Sequence, residues 1–192
     1  MLRGLYDWTL RLATHKHALW ALALVSFAES SVFPIPPDLL MIPMIIARPS
    51  RAFLIAFVAL VASVAGALLG YYIGWGLFES VGRPVLDFYG KTAAAEEFNQ
   101  RFTEYGAWAV LIAGVTPFPF KVITIMSGWT GLSIPVFVAS SIVARGLRFF
   151  IVAGLLWKFG PPIRDFIEKR LGLMFTLFVV LLAGGFYVVK YL

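Results

Sequence analysis

The chain has 192 residues, of which 60% are hydrophobic and 14% charged, with a mean hydropathy of +0.87. A soluble domain carries about 25% charged residues, so this composition excludes an ordinary water-soluble fold and points to an all-α integral membrane protein. Cysteine is absent, which excludes disulfides, thiolate metal sites and a cysteine nucleophile. The net charge of +6 is scattered along segment flanks, a pattern of membrane topology and not of nucleic-acid binding.

Residues 1–17 read as an amphipathic lead-in, with Leu2, Leu5, Trp8 and Leu12 set against Arg3, Arg11 and Lys16. No small-residue cleavage site follows, so a removed signal peptide is not expected. His15 and His17 have no ligand partners nearby in sequence, and no metal site is expected there. Ala18 to Ala47 is apolar but broken, with Glu29, Pro34, Pro36, Pro37 and Asp38 inside it. Arg48 to Arg51 is a short polar turn. Ala52 to Phe78 carries no charge and is long enough for a hydrocarbon core that needs about 20 apolar residues per crossing. Within it Gly66, Gly70 and Gly74 lie on one face, the small-residue pattern of close helix packing.

Glu79 to Glu104 is polar and amphipathic, and is expected outside the membrane core. Tyr105 to Trp129 is a second broken segment, interrupted by Pro117 and Pro119 and carrying Lys121. A turn over Thr130 to Ser133 leads to a second unbroken helix, from about Pro135 to Trp157, which holds Arg145 and Arg148. Lys158 to Arg170 is polar, and Leu171 to Tyr191 is a last apolar helix. Trp20, Trp75, Trp108, Trp157 and Tyr187 stand near segment ends, as interfacial anchors do.

The two broken segments correspond. Val32-Phe33-Pro34-Ile35-Pro36-Pro37-Asp38 matches Val115-Thr116-Pro117-Phe118-Pro119-Phe120-Lys121 at an offset of 83 residues, with an acid replaced by a base. Further on, Gly82, Pro84, Asp87 and Phe88 match Gly160, Pro162, Asp165 and Phe166 at an offset of 78. Tyr71-Tyr72-Ile73 and Phe149-Phe150-Ile151 fall at that same offset. The chain therefore reads as one membrane domain built from two repeats, residues 18–104 and 105–170, followed by a C-terminal helix over 171–192. Discontinuous helices at corresponding points of two repeats are a transporter signature. If each broken segment dips and returns, the repeats are inverted; if each spans, they are parallel. The Lys/Arg bias places the N-terminus in the cytoplasm either way. The prolines favour the dip, because they remove backbone donors and push preceding residues out of helical geometry.

Five charged residues inside apolar surroundings carry the candidate chemistry. Glu29 and Asp38 cost roughly 2.5–3.5 kcal/mol each when ionised at membrane depth, so they pair, face water or hold a proton. Asp38 also stands where it would cap the helix after Pro37. Lys121 is the counterpart of Asp38 and either serves the site or snorkels to the interface. Arg145 and Arg148 share a helix face at i, i+3. With Lys121 they either form a basic site for a phosphate headgroup or pair with Glu29 and Asp38. No Gly-x-Ser-x-Gly, His-Glu-x-x-His or phosphate-binding glycine loop is present, and no nucleophile–base set, so neither an enzyme nor a cofactor is expected.

Glu29 with Phe33-Pro34-Ile35-Pro36-Pro37-Asp38, the later Thr116-Pro117-Phe118-Pro119-Phe120-Lys121, and Ser127-Gly128 together resemble the DedA family of the VTT, or SNARE-associated Golgi protein, superfamily, in its YqaA-like branch. The resemblance spans about residues 18 to 160. It implies a bacterial inner-membrane protein with two inverted re-entrant elements, each paired with a membrane helix. It implies flipping of undecaprenyl phosphate or phospholipid, coupled to protons, in support of membrane homeostasis. The family's essential acids fall on Glu29 and Asp38. Many members carry two arginines around the second element; here Lys121 stands near one, the other position near Gly114-Val115 is uncharged, and Arg145 or Arg148 is the substitute. A proton-coupled small-ion or drug antiporter and a non-transporting assembly scaffold are the alternative expectations.

Overall fold

The computed structural model describes residues 17–32, 35–88, 90, 92–116 and 118–169. The amphipathic lead-in, His15, the last apolar helix, Pro34 and Pro117 lie outside the described residues. Every regular element among the described residues is helical: α1 (Ala18–Ser31), α2 (Asp38–Ala47), a single turn (Pro49–Arg51), α3 (Ala52–Leu77), a widened turn (Phe78–Gly82), α4 (Arg83–Phe88), α5 (Thr92–Val115), α6 (Phe120–Trp129) and α7 (Ile134–Lys169).

The prolines set the breaks. The chain leaves helical geometry at Val32, shortly before the proline cluster, and Pro37 opens α2, a position where its missing N–H costs nothing. Pro119, with extended backbone, opens α6 in the same way. Three of the resulting pieces, α1, α2 and α6, are short, while α5 runs on from the polar connector and only Glu104–Val115 of it is an apolar helix. Helices of 14 and 10 residues are about 21 and 15 Å long, well under the ~30 Å of a hydrocarbon core. Only the helices over Pro49–Leu77 and Ile134–Gly160 are long and apolar enough to cross a membrane among the described residues.

Packing defines the course of the chain. α1 runs beside α3 in the same direction. Ala18 and Leu22 pack with Ala52, Ile55 and Ala59, and further along the Phe27 carbonyl meets Gly66 and the Ser30 carbonyl meets Gly70. α2 comes back, because Met44 and Ile45 near its end join the cluster that holds Ala18 and Ala52. The second broken segment behaves alike at the other end of the molecule. Gly106 of α5 lies against Leu132, Gly114 lies against Ala144, and the chain returns through α6 to Leu132. The Leu132 carbonyl accepts a 2.7 Å hydrogen bond from the Tyr71 hydroxyl, which pins the α6–α7 turn to the late part of α3. α7 runs opposite to α3: Phe137 packs on Tyr71 at one end and Trp157 on Phe53 at the other. The core divides accordingly, into one cluster around Leu22, Ile45, Ile55 and Phe149 and another around Ala67, Tyr71, Phe120 and Phe137.

The elements differ from the sequence reading at two places. The polar connector and the second broken segment form one helix from Thr92, because residues 92–104 are mostly good helix formers with no proline or glycine to stop them. α7 continues past Trp157 to Lys169, with a bend at Phe159 (φ −120°, ψ 19°) just before Gly160-Pro161-Pro162.

The glycine face does what its spacing implies. A Cβ on Gly66 would overlap the Phe27 carbonyl, one on Gly70 the Thr124 hydroxyl, and one on Gly74 the Ile125 carbonyl. From α6, Gly128 meets the Tyr71 carbonyl in the same manner. α3 is thus in backbone contact with the end of α1 and with α6. Gly66→Leu is expected to cost at least the ~1–3 kcal/mol of an overpacked core, read as a lower unfolding temperature in detergent. Gly154→Leu, where a Cβ meets nothing within 4 Å, is expected to leave that temperature unchanged.

Candidate functional site

The two breaks meet. Thr124 of α6 places its hydroxyl 2.9 Å from the Ser30 carbonyl at the end of α1. Lys121, the second residue of α6, donates to the Val32 carbonyl at 3.5 Å. That carbonyl lies at the helix end, where intrahelical donors run out. All five charged candidates gather around this junction.

Arg145 is the deepest of them, 1% exposed. Its Nη2 donates to Glu29 Oε2 at 2.6 Å and its Nε to Ser63 Oγ at 2.7 Å. The Ser63 and Ser30 hydroxyls are 2.7 Å apart, and Ser30 donates to Glu29 Oε2 at 3.2 Å. Ser30 spends its one hydrogen on Glu29, so Ser63 must be the donor to Ser30. A closed, directional ring results: Arg145 to Ser63, Ser63 to Ser30, Ser30 to Glu29, and Arg145 again to Glu29. The guanidinium also lies 4.9 Å from the Phe120 ring centre and 4.6 Å from that of Phe149, within cation–π range.

Arg148, one turn along α7, bridges the two tips. Its Nη2 donates to Asp38 Oδ2 at 2.5 Å, and its Nη1 to the Thr116 carbonyl at 2.7 Å. Asp38 is the first residue of α2 and Thr116 the last before the second break. The expectation that Asp38 caps α2 is not met. Pro37 holds the cap position, no side chain caps the helix, and the carboxylate reaches Arg148 instead. Asp38 Oδ1 is buried with no hydrogen-bond partner among the described residues.

The two pairs are unequal in exposure. The side chains of Arg145 and Glu29 are 2% and 12% exposed; those of Arg148 and Asp38 are 18% and 19%. Lys121 makes no ion pair among the described residues and is half-buried. Of the open choices in the sequence, pairing with the acids is the one both arginines adopt. No cluster of metal-ligating residues occurs among the described residues.

Three contributors escaped the sequence reading: Ser63, Ser30 and Thr124. Ser63 had a signal, being the one polar residue between Ala52 and Leu69. Serine at an interhelical contact hydrogen-bonds across helices. Thr116 acts through its carbonyl, which no side-chain pattern reveals.

The class is therefore an all-helical membrane protein whose two broken segments meet at paired charges. A VTT domain model matches residues 35–158, and the chain belongs to the VTT-domain, or DedA, family. It is similar to an uncharacterized protein of Haemophilus influenzae, 36% identical over 168 residues that cover 85% of this chain and 87% of the relative. It is equally similar, at 36% over 168 residues and the same coverage, to a Histophilus somni protein described as a homolog of uncharacterized protein HI0703. No solved structure matches.

Removing one partner of a buried ion pair strands the other charge, at a cost of about 3–5 kcal/mol. Arg145→Met is expected to lose stability on that scale in detergent unfolding, and Arg148→Met clearly less. Equal losses would remove the distinction between a deep pair and a yielding one.

Proposed function

We propose that this protein moves an anionic, lipid-linked phosphate or phospholipid headgroup across a bacterial inner membrane, with proton coupling. What carries the reading is the arrangement of Arg148. It holds both tips at once, is partly exposed, and forms a fork suited to a phosphate.

The chemistry follows from competition. A headgroup phosphate drawn to Arg148 and the unpaired Lys121 replaces Asp38 and the Thr116 carbonyl as acceptor. Asp38 is then a carboxylate without its counter-ion, in a site where an uncompensated charge is costly. In the proposed cycle a proton taken up by Asp38 cancels that uncompensated charge. Release of the headgroup restores the pair and expels that proton. Arg145, enclosed by its ring of hydrogen bonds and two aromatic faces, stays in place as the pivot. Glu29 sets the charge of that pivot.

The same reading takes α1–α2 and α5–α6 as re-entrant elements of two inverted repeats, with a cytoplasmic N-terminus. The shortness of α1, α2, α6 and the apolar part of α5 (Glu104–Val115), the return of each broken segment to the end where it started, and the opposed courses of α3 and α7 support it. Rocking of one repeat against the other would expose the junction to each side in turn.

Glu29→Gln and Asp38→Asn are expected to abolish headgroup movement in proteoliposomes while the proteins still purify as folded species. Normal lipid movement by both variants would contradict the proposal, and dependence on a soluble-ion gradient in place of lipid composition would favour an antiporter. For topology, Ser50→Cys and Ser133→Cys introduce exposed single thiols into a cysteine-free chain. Labelling is expected from the cytoplasm at position 50 and from the periplasm at position 133. Labelling at position 50 from the periplasm alone would rule out the inverted arrangement.

A further inference from the structure

The helices that follow the two breaks, α2 and α6, are held by unlike means. On α6, Gly128 lies against the Tyr71 carbonyl, while Gly70 and Gly74 of α3 lie against the Thr124 hydroxyl and the Ile125 carbonyl. That hydroxyl is also 2.9 Å from the Ser30 carbonyl of α1. The far end of α6 is fixed as well. The Trp129 ring stacks on Phe78 at 4.8 Å, and the Leu132 carbonyl just beyond accepts from Tyr71. Contacts between a glycine and a backbone carbonyl contain no side chain that could rotate out of the way, so α6 is locked to α3.

α2 lacks these contacts, and the sequence shows why. The two halves align at an offset of 83 for the broken segments and 78 for the helices after them. In those registers Gly128 corresponds to Ile45, and Gly66, Gly70 and Gly74 correspond to Ala144, Arg148 and Val152. Each glycine of the locked contact is thus a side chain at the other one. α2 accordingly rests on the body through Met41, Met44 and Ile45, in a cluster with Phe149, Ala153 and Leu156. Asp38 is the one polar side chain of α2, and Arg148 holds it. Pro43, inside the helix, stands where α6 has Met126 and offers the Leu39 carbonyl no amide hydrogen, which weakens the middle of α2. The chain then leaves α2 through Arg48, Pro49, Ser50 and Arg51, all exposed.

We propose that α2 is a gate. It tilts about the Arg48–Arg51 turn while α1, α3 and α6 stay together, and the Arg148–Asp38 pair is its latch. The inference narrows the movement in the transport reading to one helix; it rests on that reading for the purpose of the movement and not for the movement itself. Packing through side chains permits it, because methionine and aliphatic groups re-form contacts in other rotamers, whereas the glycine contacts of α6 hold in one position. Opening also changes the charge of the junction. Asp38 leaves with α2. Arg148 stays on α7, bonded to the Thr116 carbonyl, and Lys121 stays on α6 beside the Val32 carbonyl. In the closed form Arg145, Arg148 and Lys121 face Glu29 and Asp38; in the open form they face Glu29 alone. The open form therefore attracts an anionic group, and the return of Asp38 displaces it.

The test is pulsed electron paramagnetic resonance on the full chain in proteoliposomes, with spin labels on pairs of introduced cysteines in a chain that has none of its own. Leu39→Cys with Trp75→Cys, both at exposed positions, reports the tip of α2 against the late end of α3. Val122→Cys with Leu54→Cys reports the tip of α6 against the early end of the same helix. Asp38→Asn and Arg148→Met each release the latch, one from either side, so the loss of one variant to misfolding leaves the other. In both, the first distance is expected to shift by about 5 Å, the scale of one helical turn, and the second to stay as it is in the unreleased chain. Equal shifts in the two pairs would overturn the inference in favour of whole repeats rocking. An unchanged first distance in both variants would overturn the latch. If the lipid assay fails while only the first pair shifts, the gate stands and the transport reading falls; if lipid moves while both pairs shift together, the transport reading stands and the gate falls.

Discussion

Ionised side chains cannot stand alone in hydrocarbon, and the rest of this structure answers to that constraint. Five charges lie at the junction of two broken segments, and four of them are neutralised by a partner from a distant part of the chain: Arg145 with Glu29, Arg148 with Asp38. Bringing those partners within 2.6 Å requires α1, α3, α6 and α7 to pack with little side chain between them. Glycines on α3 and α6 allow that approach, with backbone in contact with backbone at Phe27, Ile125 and Tyr71. The breaks raise a second demand, since carbonyls at the ends of α1 and α5 lose their helical donors. Lys121 and Arg148 meet it. Charge and broken backbone therefore stabilise one another, and removing either leaves the other uncompensated.

The two pairs divide the work. Arg145 makes contacts in every direction open to it: a carboxylate, a hydroxyl and two aromatic faces. An arginine so enclosed has little to gain from a new ligand. Arg148 has fewer contacts and more exposure, and its two partners belong to different tips. In the proposed transport cycle, an anion that takes Arg148 would loosen the join between those tips and so link ligand binding to movement through one side chain. The Oδ1 of Asp38, buried and without a hydrogen-bond partner among the described residues, marks the carboxylate on which the charge imbalance of the proposed cycle would fall.

Much of this was legible in the sequence. Low charge and long apolar runs specify a helical membrane protein, the proline clusters mark both breaks, and an acid at Glu29 or a base at Arg145 inside an apolar run announces a partner. The glycine spacing on α3 foretold close packing. Pairing partners were harder to read, because Glu29 and Arg145 are 116 residues apart and only the fold decides which acid meets which base. Asp38 illustrates the limit. Local rules favour it as a cap, but Pro37 already occupies that position and a tertiary ion pair takes the side chain. Ser63 and Ser30 carry no charge and no motif, and the Thr116 carbonyl is common to every residue type. Their roles come from position alone. The extent of α5 was missed for a different reason: polar residues 92–104 signal solvent exposure, and helicity is a separate property that continues across the polar–apolar boundary.

The central claim is that the two breaks touch inside the membrane. Intramolecular cross-linking tests it without assuming any substrate. Val32→Cys and Lys121→Cys place two thiols, one on each tip, in a chain that has no other cysteine. Treated in native membranes with a short bifunctional thiol reagent and mapped by mass spectrometry, the double variant is expected to yield a cross-link within one chain. Efficient labelling of each single variant without a cross-link in the double variant would contradict the claim.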